Sequence, residues 1–389
     1  MQVTRSERLA ALPPYLFAEI DRQKRAALAA GRDIIDFGVG DPDKPTHGFI
    51  IERMEQAIRD PRNHVYPLGG GSAAFRQQIA DFFQGRYGVA LDPQREVLAL
   101  IGSKEGIGHL PLAVVNPGET VIVPSPGYPV YRAGTIFAGG QPWTLPLTAD
   151  TGWLPDLAAI PAEVARSAVL MFINYPNNPT GALADLAFYE RVVRFAGEHN
   201  MLVAQDAAYN ELYLGTVRPP SILQVAGARE VAIEFHSASK TFNMTGWRVG
   251  FAVGQADALA ALAAVKANFD SGVFGAVQAA ACTAYAGSAR PELAAMRSLY
   301  RERAEALCAA LRRLGFAATP PPATFYVWAR VPAGYDSMTV CTRLLEEADI
   351  VCVPGSGFGP TGAGYVRFAL SVPAERMERA VQRLATLRW

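Results

Sequence analysis

Short, continuously apolar runs alternate with longer helical patterns between residues 50 and 285. Such runs are typical of strands buried on both faces, and their alternation with helices is typical of a mostly parallel sheet covered on both sides. The predicted strands are residues 97–101, 120–123, 168–173, 201–205, 231–236 and 249–253, and the predicted helices include 185–199 and 257–266. This part of the chain therefore predicts one large α/β domain.

The two ends of the chain have a different pattern. A helix is predicted from residue 15 to about 30, ended by Gly31, with a strand at 34–39 after it. The elements predicted after residue 296 are a helix at 297–314, a strand at 324–331, a helix at 337–348, two short strands and a last helix from Pro373. This order is typical of a smaller α+β domain. We therefore divide the chain into an N-terminal arm with part of the small domain (1–48), a large domain (49–285) and a small C-terminal domain (286–389).

The composition argues against several classes of protein. The 389 residues include 36 Lys and Arg and 36 Asp and Glu, so the formal net charge is zero and no nucleic-acid surface is indicated. The longest apolar run, residues 258–265, is too short to cross a membrane, and charges stand where a signal peptide is apolar. Four cysteines without a Cys-x-x-Cys pair suit a reducing compartment, and five scattered histidines indicate no metal site. We therefore expect a soluble, cytoplasmic protein without a metal.

The stretch Ser237-Ala-Ser-Lys240-Thr-Phe-Asn-Met-Thr-Gly-Trp-Arg248 follows one predicted strand and precedes another. Ligands of open α/β sheets bind at the carboxyl ends of the strands, where this stretch is expected to lie. A lysine in a partly desolvated pocket loses its proton more easily and can form a Schiff base. Ser237 and Arg248 offer a hydroxyl and a planar cation, which together suit a phosphate. The alternative is an ordinary loop with an exposed lysine and arginine.

Three other predicted strands are also followed by polar residues. Asp206 can pair with a protonated ring nitrogen, and Tyr209, three residues later, can donate to a ring oxygen. Asn178 lies in a proline-pinned turn after strand 168–173 and presents an amide there, unless the turn is only structural. The segment 102–106, Gly-Ser-Lys-Glu-Gly, offers free backbone amides at a helix start, which suit an anion. The sequence therefore predicts a ligand site at one edge of the sheet.

Together with Arg367 in Gly-Tyr-Val-Arg-Phe-Ala-Leu-Ser, these stretches resemble the class I and II pyridoxal-phosphate-dependent aminotransferases, and among them most of all the LL-diaminopimelate aminotransferases. The resemblance also runs through Leu12-Pro-Pro-Tyr15-Leu-Phe-Ala-Glu-Ile20, Gly38-Val-Gly-Asp-Pro-Asp43, Pro126-Gly-Tyr-Pro-Val-Tyr131 and Pro322-Ala-Thr-Phe-Tyr-Val-Trp328. It implies the aspartate aminotransferase fold (fold type I), an α/β fold with a mostly parallel seven-stranded sheet flanked by helices, plus a smaller α+β domain.

The resemblance also implies an activity. The enzyme would move an amino group between an L-amino acid and a 2-oxo acid by Schiff-base ping-pong chemistry, with glutamate and 2-oxoglutarate as one pair. It would serve amino-acid biosynthesis, and lysine biosynthesis if LL-diaminopimelate is the substrate. An aspartate or broad-specificity aminotransferase stays open, and so does a lyase or decarboxylase that uses the same cofactor.

The resemblance implies pyridoxal 5'-phosphate as the cofactor and a role for each residue around its ring. Lys240 would form the Schiff base with the cofactor and move the proton. Asp206 would keep the ring nitrogen protonated, so that the ring can accept electrons. Tyr209 and Asn178 would bond the phenolic oxygen of the ring, and Tyr128 would stack on its face.

The resemblance further implies how the cofactor phosphate is held. Ser103 and Lys104 would donate backbone amides, Ser237 and Arg248 would bind with their side chains, and Tyr66 would reach in from the other subunit. The active unit would therefore be a homodimer with active sites shared across the interface. Its other partners would be small-molecule substrates, with no nucleic acid and no membrane.

The substrate contacts implied by the resemblance lie at both ends of the chain. Arg367 would bind the α-carboxylate, helped by the Gly40 amide and by Asn178, and Tyr15 would close over the substrate. One segment departs from the family pattern. A tyrosine and a glutamate are expected where this sequence has Gly69 and Gly70, and the glutamate would help to bind the far end of the substrate. The alternative is that another residue recognises that end.

Other classes of protein fit less well. Penicillin-recognising hydrolases also have a Ser-x-x-Lys element like Ser237 and Lys240, but they need Ser-Asp-Asn and Lys-Thr-Gly, which this sequence lacks. A regulator built on the aminotransferase fold would need a DNA-binding module before residue 15, for which we expect no room. The glycines in 355–359 resemble a dinucleotide loop, but no helix pattern follows them, so we expect a surface loop there.

Overall fold

The computed structural model describes residues 3–12, 16–67 and 69–389. The strands are β1 (Ile35–Asp36), β2 (Val97–Leu100), β3 (Thr120–Ser125), β4 (Gln141–Pro146), β5 (Ala168–Asn174), β6 (Leu202–Asp206), β7 (Ala232–Ser237), β8 (Gly250–Gly254), β9 (Tyr326–Arg330), β10 (Ile350–Val351), β11 (Val353–Pro354) and β12 (Tyr365–Ala369). The α-helices are α1 (Glu7–Ala10), α2 (Leu16–Ala29), α3 (Gly48–Ala57), α4 (Ala73–Tyr87), α5 (Ser103–Val114), α6 (Pro129–Phe137), α7 (Ala162–Ser167), α8 (Leu186–Glu198), α9 (Ala228–Val231), α10 (Ala238–Thr241), α11 (Ala256–Phe269), α12 (Gly275–Ala286), α13 (Pro291–Arg313), α14 (Ser337–Ala348) and α15 (Ala374–Thr386). Short 3₁₀ helices lie at Pro61–Asn63, Ala149–Thr151, Leu157–Ala159, Ile222–Gln224, Thr245–Trp247, Gly355–Phe358 and Pro360–Gly362.

The main sheet of the described residues has seven strands in the order β2-β8-β7-β6-β5-β3-β4. Neighbours from β7 to β4 run parallel, whereas β8 runs antiparallel to both β7 and β2. Strand β2 is consequently parallel to β5, β6 and β7, and the carboxyl ends of these four strands lie at one edge. The predicted mostly parallel α/β sheet is confirmed.

Helices cover both faces of this sheet. Successive side chains of a strand point to opposite faces, so neighbouring residues of one strand pack against different helices. Ala99 of β2 belongs to a buried cluster with Phe83 of α4 and Val192 of α8. Leu100, the next residue of β2, belongs to a different buried cluster with Ile107 of α5. The sheet is therefore apolar on both sides, and this is why its strands read as continuous apolar runs.

Several helices begin at a side chain that satisfies their first backbone amides. Asp185 precedes α8, and its carboxylate accepts a hydrogen bond from the Phe188 amide at 2.7 Å. Asp336 does the same for α14 through the Thr339 amide at 2.9 Å. Such capping fixes where a helix starts, so the predicted bounds of these two helices agree with the structure to within one residue.

The N-terminal segment joins the C-terminal part of the chain. Strand β1 pairs in parallel with β10, so that Ile35 lies opposite Ile350. Nearby, β11, β12 and β9 form an antiparallel sheet, and its residue Phe368 packs edge-on against Phe37. The division of the chain at residues 48 and 285 stays a prediction.

One strand was predicted too long, and another strand was not predicted. The strand predicted at 34–39 ends at Asp36, because the Asp36 carboxylate accepts the Gly38 amide at 2.7 Å and turns the chain out of the ladder. Strand β4 was not predicted, because its sequence, Gln-Pro-Trp-Thr-Leu-Pro, contains two prolines. Proline is tolerated at the edge of a sheet, which is where β4 lies.

The glycine-rich segment 355–359 is not a surface loop along its whole length, contrary to our expectation. Gly355 and Phe358 are buried in a short 3₁₀ helix. A β-carbon at Gly355 would lie 2.1 Å from the carbonyl oxygen of Gly362, so the glycine allows two backbone segments to touch. Separately, no helix among the described residues is both long enough and apolar enough to span a lipid bilayer.

Candidate active site

Polar residues from the four predicted loops meet at the carboxyl edge of the main sheet. Asn174 ends β5, Asp206 ends β6 and Ser237 ends β7, while Ser103 begins α5 directly after β2. Asn174 binds its neighbour across the edge, since its side-chain amide donates to the Asp206 carbonyl oxygen at 2.7 Å. The shared edge therefore brings together residues that are far apart in the sequence.

Lys240 lies on the short helix α10 immediately after β7. Its Nζ donates a hydrogen bond of 2.6 Å to the carbonyl oxygen of Gly40, and it lies 5.5 Å from the centre of the Phe325 ring. Burial lowers the pKa of Lys240 from 10.5 to about 8, because the charged ammonium loses its hydration. A large fraction of this amine is therefore neutral, and hence nucleophilic, at mildly alkaline pH.

Asp206 is a buried carboxylate held in a fixed orientation. The Tyr131 hydroxyl donates to its Oδ2 at 2.8 Å, and the Ala208 amide donates to its Oδ1 at 3.2 Å. Burial raises the pKa of Asp206 from 3.8 to about 6, although both hydrogen bonds act in the opposite direction. A buried carboxylate of this kind is stabilised by any positively charged group that comes to lie against it.

Arg367 lies on β12 and is buried at the same edge. Its Nη1 donates to Asn178 Oδ1 at 3.0 Å, and its Nη2 donates to the Gly38 carbonyl oxygen at 2.8 Å. The guanidinium carbon lies 4.2 Å from the centre of the Tyr326 ring and 4.8 Å from that of Phe358. These contacts fix a planar, permanently charged group, which suits a carboxylate.

The start of α5 forms an anion-binding arrangement. Its cap residue is Gly102, at φ +75°, and glycine has no side chain to cap the first amides of the helix. A β-carbon at Gly102 would lie 2.4 Å from Arg248 Nη2, so the guanidinium lies directly beside the helix start. Arg248 has φ +55°, and its Nη1 donates to the Thr245 carbonyl oxygen at 2.8 Å. Helix amides and a guanidinium at one point suit a phosphate.

The remaining predicted residues lie around this anion site. The Lys104 ammonium lies 5.8 Å from the centre of the Tyr128 ring, and Tyr128 packs edge-on against Tyr131 at 5.9 Å. Ser237 is buried, and its hydroxyl accepts the Ser239 amide at 3.2 Å. The hydroxyl of Ser239 lies 3.5 Å from Arg248 Nη1.

Tyr15 and Tyr66 are the other two aromatic residues of the predicted site. Tyr15 lies outside the described residues. Tyr66 lies at the surface with 80% of its area exposed, and the carbonyl oxygen of its neighbour Pro67 lies against Gly272. Tyr66 would have to be exposed in order to reach the phosphate bound by a partner subunit, as expected.

The sequence interpretation missed two tyrosines at the site. The Tyr131 hydroxyl binds Asp206, and Tyr326 Oη lies 3.1 Å from Tyr209 Oη. Tyr131 could have been found, because it lies in the first turn of α6, three residues after Tyr128, the residue that precedes this helix. Tyr326 gave no such signal, because it is 117 residues from Tyr209 and meets it only through the tertiary fold.

Gly69 and Gly70, which stand where a tyrosine and a glutamate were expected, have backbone conformations that favour glycine. Gly69, Gly70 and Gly71 have φ of +85°, +75° and +111°. A β-carbon at Gly70 would lie 2.9 Å from Leu98 Cδ1, and the Gly70 carbonyl oxygen accepts the Ala99 amide at 2.9 Å. A glutamate at position 70 would therefore be strained, and this loop has its own packing against β2.

His109 lies beside two carboxylates, although the scattered histidines of the sequence indicated no metal site. The ligand atoms of Glu105, His109 and Asp270 lie within 4.8 Å of one another. The Lys266 ammonium contacts the Glu105 carboxylate and lies 3.0 Å from Asp270 Oδ2. Lysine therefore already supplies the positive charge at this cluster.

The chain is similar to known proteins along nearly its whole length. Residues 32–384 match the family described as aminotransferase class I and II. A curated LL-diaminopimelate aminotransferase from Syntrophobacter fumaroxidans is 53% identical over 387 residues, covering 100% of both chains. Substrate-bound BacF from Bacillus subtilis superposes with a TM-score of 0.95 at 36% identity, over 100% of this chain and 99% of that chain. A single mutant of Thermus thermophilus aspartate aminotransferase superposes with a TM-score of 0.91 at 28% identity, over 99% of each chain. The chain therefore has the aspartate aminotransferase fold and belongs to the class I and II aminotransferases.

Proposed function

We propose that this aminotransferase uses pyridoxal 5'-phosphate and accepts LL-diaminopimelate, with glutamate and 2-oxoglutarate as the other substrate pair. The observation that carries the cofactor assignment is the half-buried amine of Lys240, which donates to the Gly40 carbonyl oxygen and has its pKa lowered to about 8, at the same sheet edge as the buried Asp206 carboxylate. The identity of 53% to an LL-diaminopimelate aminotransferase supports the substrate assignment.

The residues at the site fit this cofactor at each of its polar groups. The phosphate would bind the first amides of α5 at Ser103 and Lys104, together with Arg248 and Ser237. A helix start next to a guanidinium is an arrangement that binds phosphate in many proteins. Gly102 allows Arg248 to lie against this helix start, because a β-carbon there would meet the guanidinium.

The ring of the cofactor would bind the other side chains. Asp206 would face the ring nitrogen, since a raised pKa marks a carboxylate that gains most from a cationic partner. Tyr209 and Asn178 would bond the ring oxygen, and Tyr128 would cover the ring face. When bound, the cofactor takes up the amino group and withdraws electrons from the α-carbon of the substrate.

The reaction needs a base that moves one proton, and Lys240 would be that base. Its Nζ would be free to accept a proton once the substrate is bound. In its neutral form, Nζ would take the proton from the substrate α-carbon and return it to the cofactor side. The hydrogen bond to the Gly40 carbonyl oxygen keeps the amine oriented at 2.6 Å.

Substrate orientation would come from Arg367. Its guanidinium is buried, and it would bind the α-carboxylate with two parallel hydrogen bonds, which fixes the plane of the substrate. Asn178 and the Gly40 amide would complete this carboxylate site. The same contacts serve any α-amino acid, so glutamate fits as amino donor.

A second candidate function is supported by the loop at Gly69 to Gly71. LL-diaminopimelate has an ammonium and a carboxylate at its far end, and these glycines supply no side chain to pair with them. An ammonium buried without a partner is strongly unfavourable. A broader aminotransferase that prefers aspartate or other amino acids is therefore the alternative.

A comparison of kcat/KM decides between the two substrates. LL-diaminopimelate, L-aspartate and L-phenylalanine are each tested as donor with 2-oxoglutarate as acceptor. We expect LL-diaminopimelate to be preferred by at least about tenfold, which corresponds to about 1.4 kcal/mol of transition-state binding. A smaller preference would contradict the substrate assignment, whereas the cofactor assignment would stand if glutamate still reacts.

The expected homodimer is part of the proposal. Tyr66 is exposed on one chain and would reach the phosphate of its partner, so a monomer would lack one phosphate ligand. Sedimentation of the loaded enzyme should give twice the chain mass of 41.8 kDa or a multiple of it. The cytoplasmic location stays a prediction.

A further inference from the structure

Tyr326 touches the residues proposed to hold the cofactor ring and those proposed to hold the substrate carboxylate. It is buried, and its Oη lies 3.1 Å from Tyr209 Oη. The Arg367 guanidinium carbon lies 4.2 Å from the centre of its ring. A β-carbon on Gly40 would lie 1.9 Å from its Oη, so the hydroxyl packs directly on the Gly40 backbone.

We infer that Tyr326 is a positioning residue, which directs the hydroxyl proton of Tyr209 towards the cofactor ring oxygen and supports the guanidinium of Arg367. The inference rests on the proposed function, because it needs a ring oxygen for Tyr209 to bind. It adds a residue of β9 to the groups that determine the reactivity of the site.

The direction of the hydrogen bond follows from the number of protons. A phenol has one proton to donate and two lone pairs that accept. If Tyr209 donates its hydroxyl proton to the ring oxygen, only Tyr326 can be the donor in the hydrogen bond between the two hydroxyls. Donation from Tyr326 polarises Tyr209 and makes it a stronger donor, because linked hydrogen bonds reinforce one another.

The support of Arg367 follows from the strand register. On β9 and β12, Trp328 lies opposite Arg367, and Tyr326 lies two residues from Trp328. Residues opposite each other in an antiparallel pair share a face, as do residues two apart on a strand. The Tyr326 ring and the guanidinium are therefore on one face, where a cation over an aromatic ring is favourable.

Replacing only the hydroxyl separates the two effects. Tyr326→Phe keeps the ring under Arg367 and removes the donor to Tyr209. In the loaded enzyme, the visible absorbance would report protonation of the Lys240 nitrogen that is joined to the cofactor. The negative charge of the ring oxygen would be shared between that proton and the Tyr209 donor. If Tyr209 donates more weakly, the ring oxygen keeps more negative charge, and this charge would hold the proton on the Lys240 nitrogen more tightly.

We therefore expect the midpoint of the absorbance change with pH to rise in Tyr326→Phe by roughly 0.2 to 0.7 pH unit. Tyr209→Phe should raise it further, because the donor itself is lost. The charged and titratable groups that face Tyr209, namely Asp206 and Arg367, are unchanged in both variants.

Tyr300→Phe is the matched control. Tyr300 is buried next to Phe325, and within the described residues its hydroxyl has no hydrogen-bond partner. This variant removes a buried hydroxyl from the same region without touching Tyr209, so its midpoint should stay within 0.1 pH unit of the unmodified enzyme, roughly the error of such a titration.

Steady-state kinetics tests the second effect. Tyr326→Phe should lower kcat while leaving KM for glutamate within about twofold, because Arg367 keeps its ring. Tyr326→Leu removes the ring, and it should raise KM for glutamate by roughly three- to tenfold, the loss expected for one cation–π contact. Far-UV circular dichroism checks that each variant is folded.

The outcomes distinguish the inference from the proposed function. A midpoint of Tyr326→Phe that matches Tyr300→Phe, while Tyr209→Phe is shifted, would overturn the inference and leave the function standing. An unmodified enzyme that shows no visible band after incubation with pyridoxal 5'-phosphate would overturn the proposed function itself.

Discussion

The Tyr131 hydroxyl donates a hydrogen bond of 2.8 Å to the carboxylate of Asp206, in a place where both side chains are buried. This bond favours the charged carboxylate, yet burial still raises the pKa of Asp206 to about 6. The chain therefore maintains a carboxylate that is costly to ionise until a cation lies against it. A protonated ring nitrogen would be such a cation.

The first prediction concerns the pH dependence of stability without cofactor. A folded pKa of about 6 against 3.8 in the unfolded chain means that this group stabilises the fold below about pH 4 and that the stability is lost as pH rises through about 6. The difference between the two pKa values corresponds to about 3 kcal/mol in the free energy of unfolding. About 1.5 kcal/mol of this contribution is lost between pH 5 and pH 8.

Asp206→Asn removes this titration. Urea unfolding of the cofactor-free protein should therefore show the variant gaining about 1.5 kcal/mol relative to the unmodified chain between pH 5 and pH 8. With cofactor bound, turnover of the variant should fall roughly 100-fold or more, since one preorganised charge is lost. A difference in unfolding free energy that does not change with pH would contradict the account of Asp206.

The second prediction concerns Arg248. Removing its guanidinium in Arg248→Ala should weaken cofactor binding by about 1.5 to 3 kcal/mol, the usual loss for a hydrogen bond to a charged group. Dialysis of the loaded enzyme, followed by absorbance, measures this retention. Arg191→Ala, on the exposed side of α8, is the control and should retain cofactor normally. Equal retention by the two variants would remove Arg248 from the phosphate site.

The third prediction concerns Gly40. A β-carbon there would lie 1.9 Å from Tyr326 Oη and 2.8 Å from its Cζ, so Gly40→Ala must displace either the ring or the Gly40 backbone. A displacement of about 1 Å at a reacting centre can cost roughly 100-fold, and we expect kcat/KM for glutamate to fall by that order. Gly48→Ala is the control, because a β-carbon at Gly48 meets no atom within 4 Å. Near-normal kinetics of Gly40→Ala would show that this contact is unimportant.

The positions of Lys240 and Asp206 could be predicted because each lies within a few residues of the end of a short apolar run. In a parallel sheet, the end of such a run is also the place where ligands bind, so local sequence and tertiary position coincide there. The same reasoning located Asn178 and Ser103 at this edge.

Other features depend on contacts between distant segments and could not be predicted. The Gly40 carbonyl oxygen that accepts from Lys240 is 200 residues away in the sequence. Tyr326 resembles any other aromatic residue of a buried strand until β9 is placed beside Tyr209. Strand β4 shows the same limit, because its prolines hide an edge strand whose pairing is visible only in the sheet.

The fourth prediction concerns the reactivity of the Lys240 amine. Burial lowers its pKa to about 8, so the neutral amine becomes abundant well below the ordinary value of 10.5. In the cofactor-free enzyme, labelling of Lys240 by a small amine reagent should rise with pH around a midpoint of about 8. The exposed Lys44, mapped in the same digest, controls for delivery of the reagent. A midpoint near 10.5 for Lys240 would contradict its burial.

Reduction of the loaded enzyme with borohydride tests the central claim most directly. The enzyme is incubated with pyridoxal 5'-phosphate, reduced and digested, and the peptides are mapped by mass. The account predicts one modified lysine per chain, Lys240, and loss of that label in Lys240→Ala with the fold retained. A label on any other lysine, or none at all, would contradict the account.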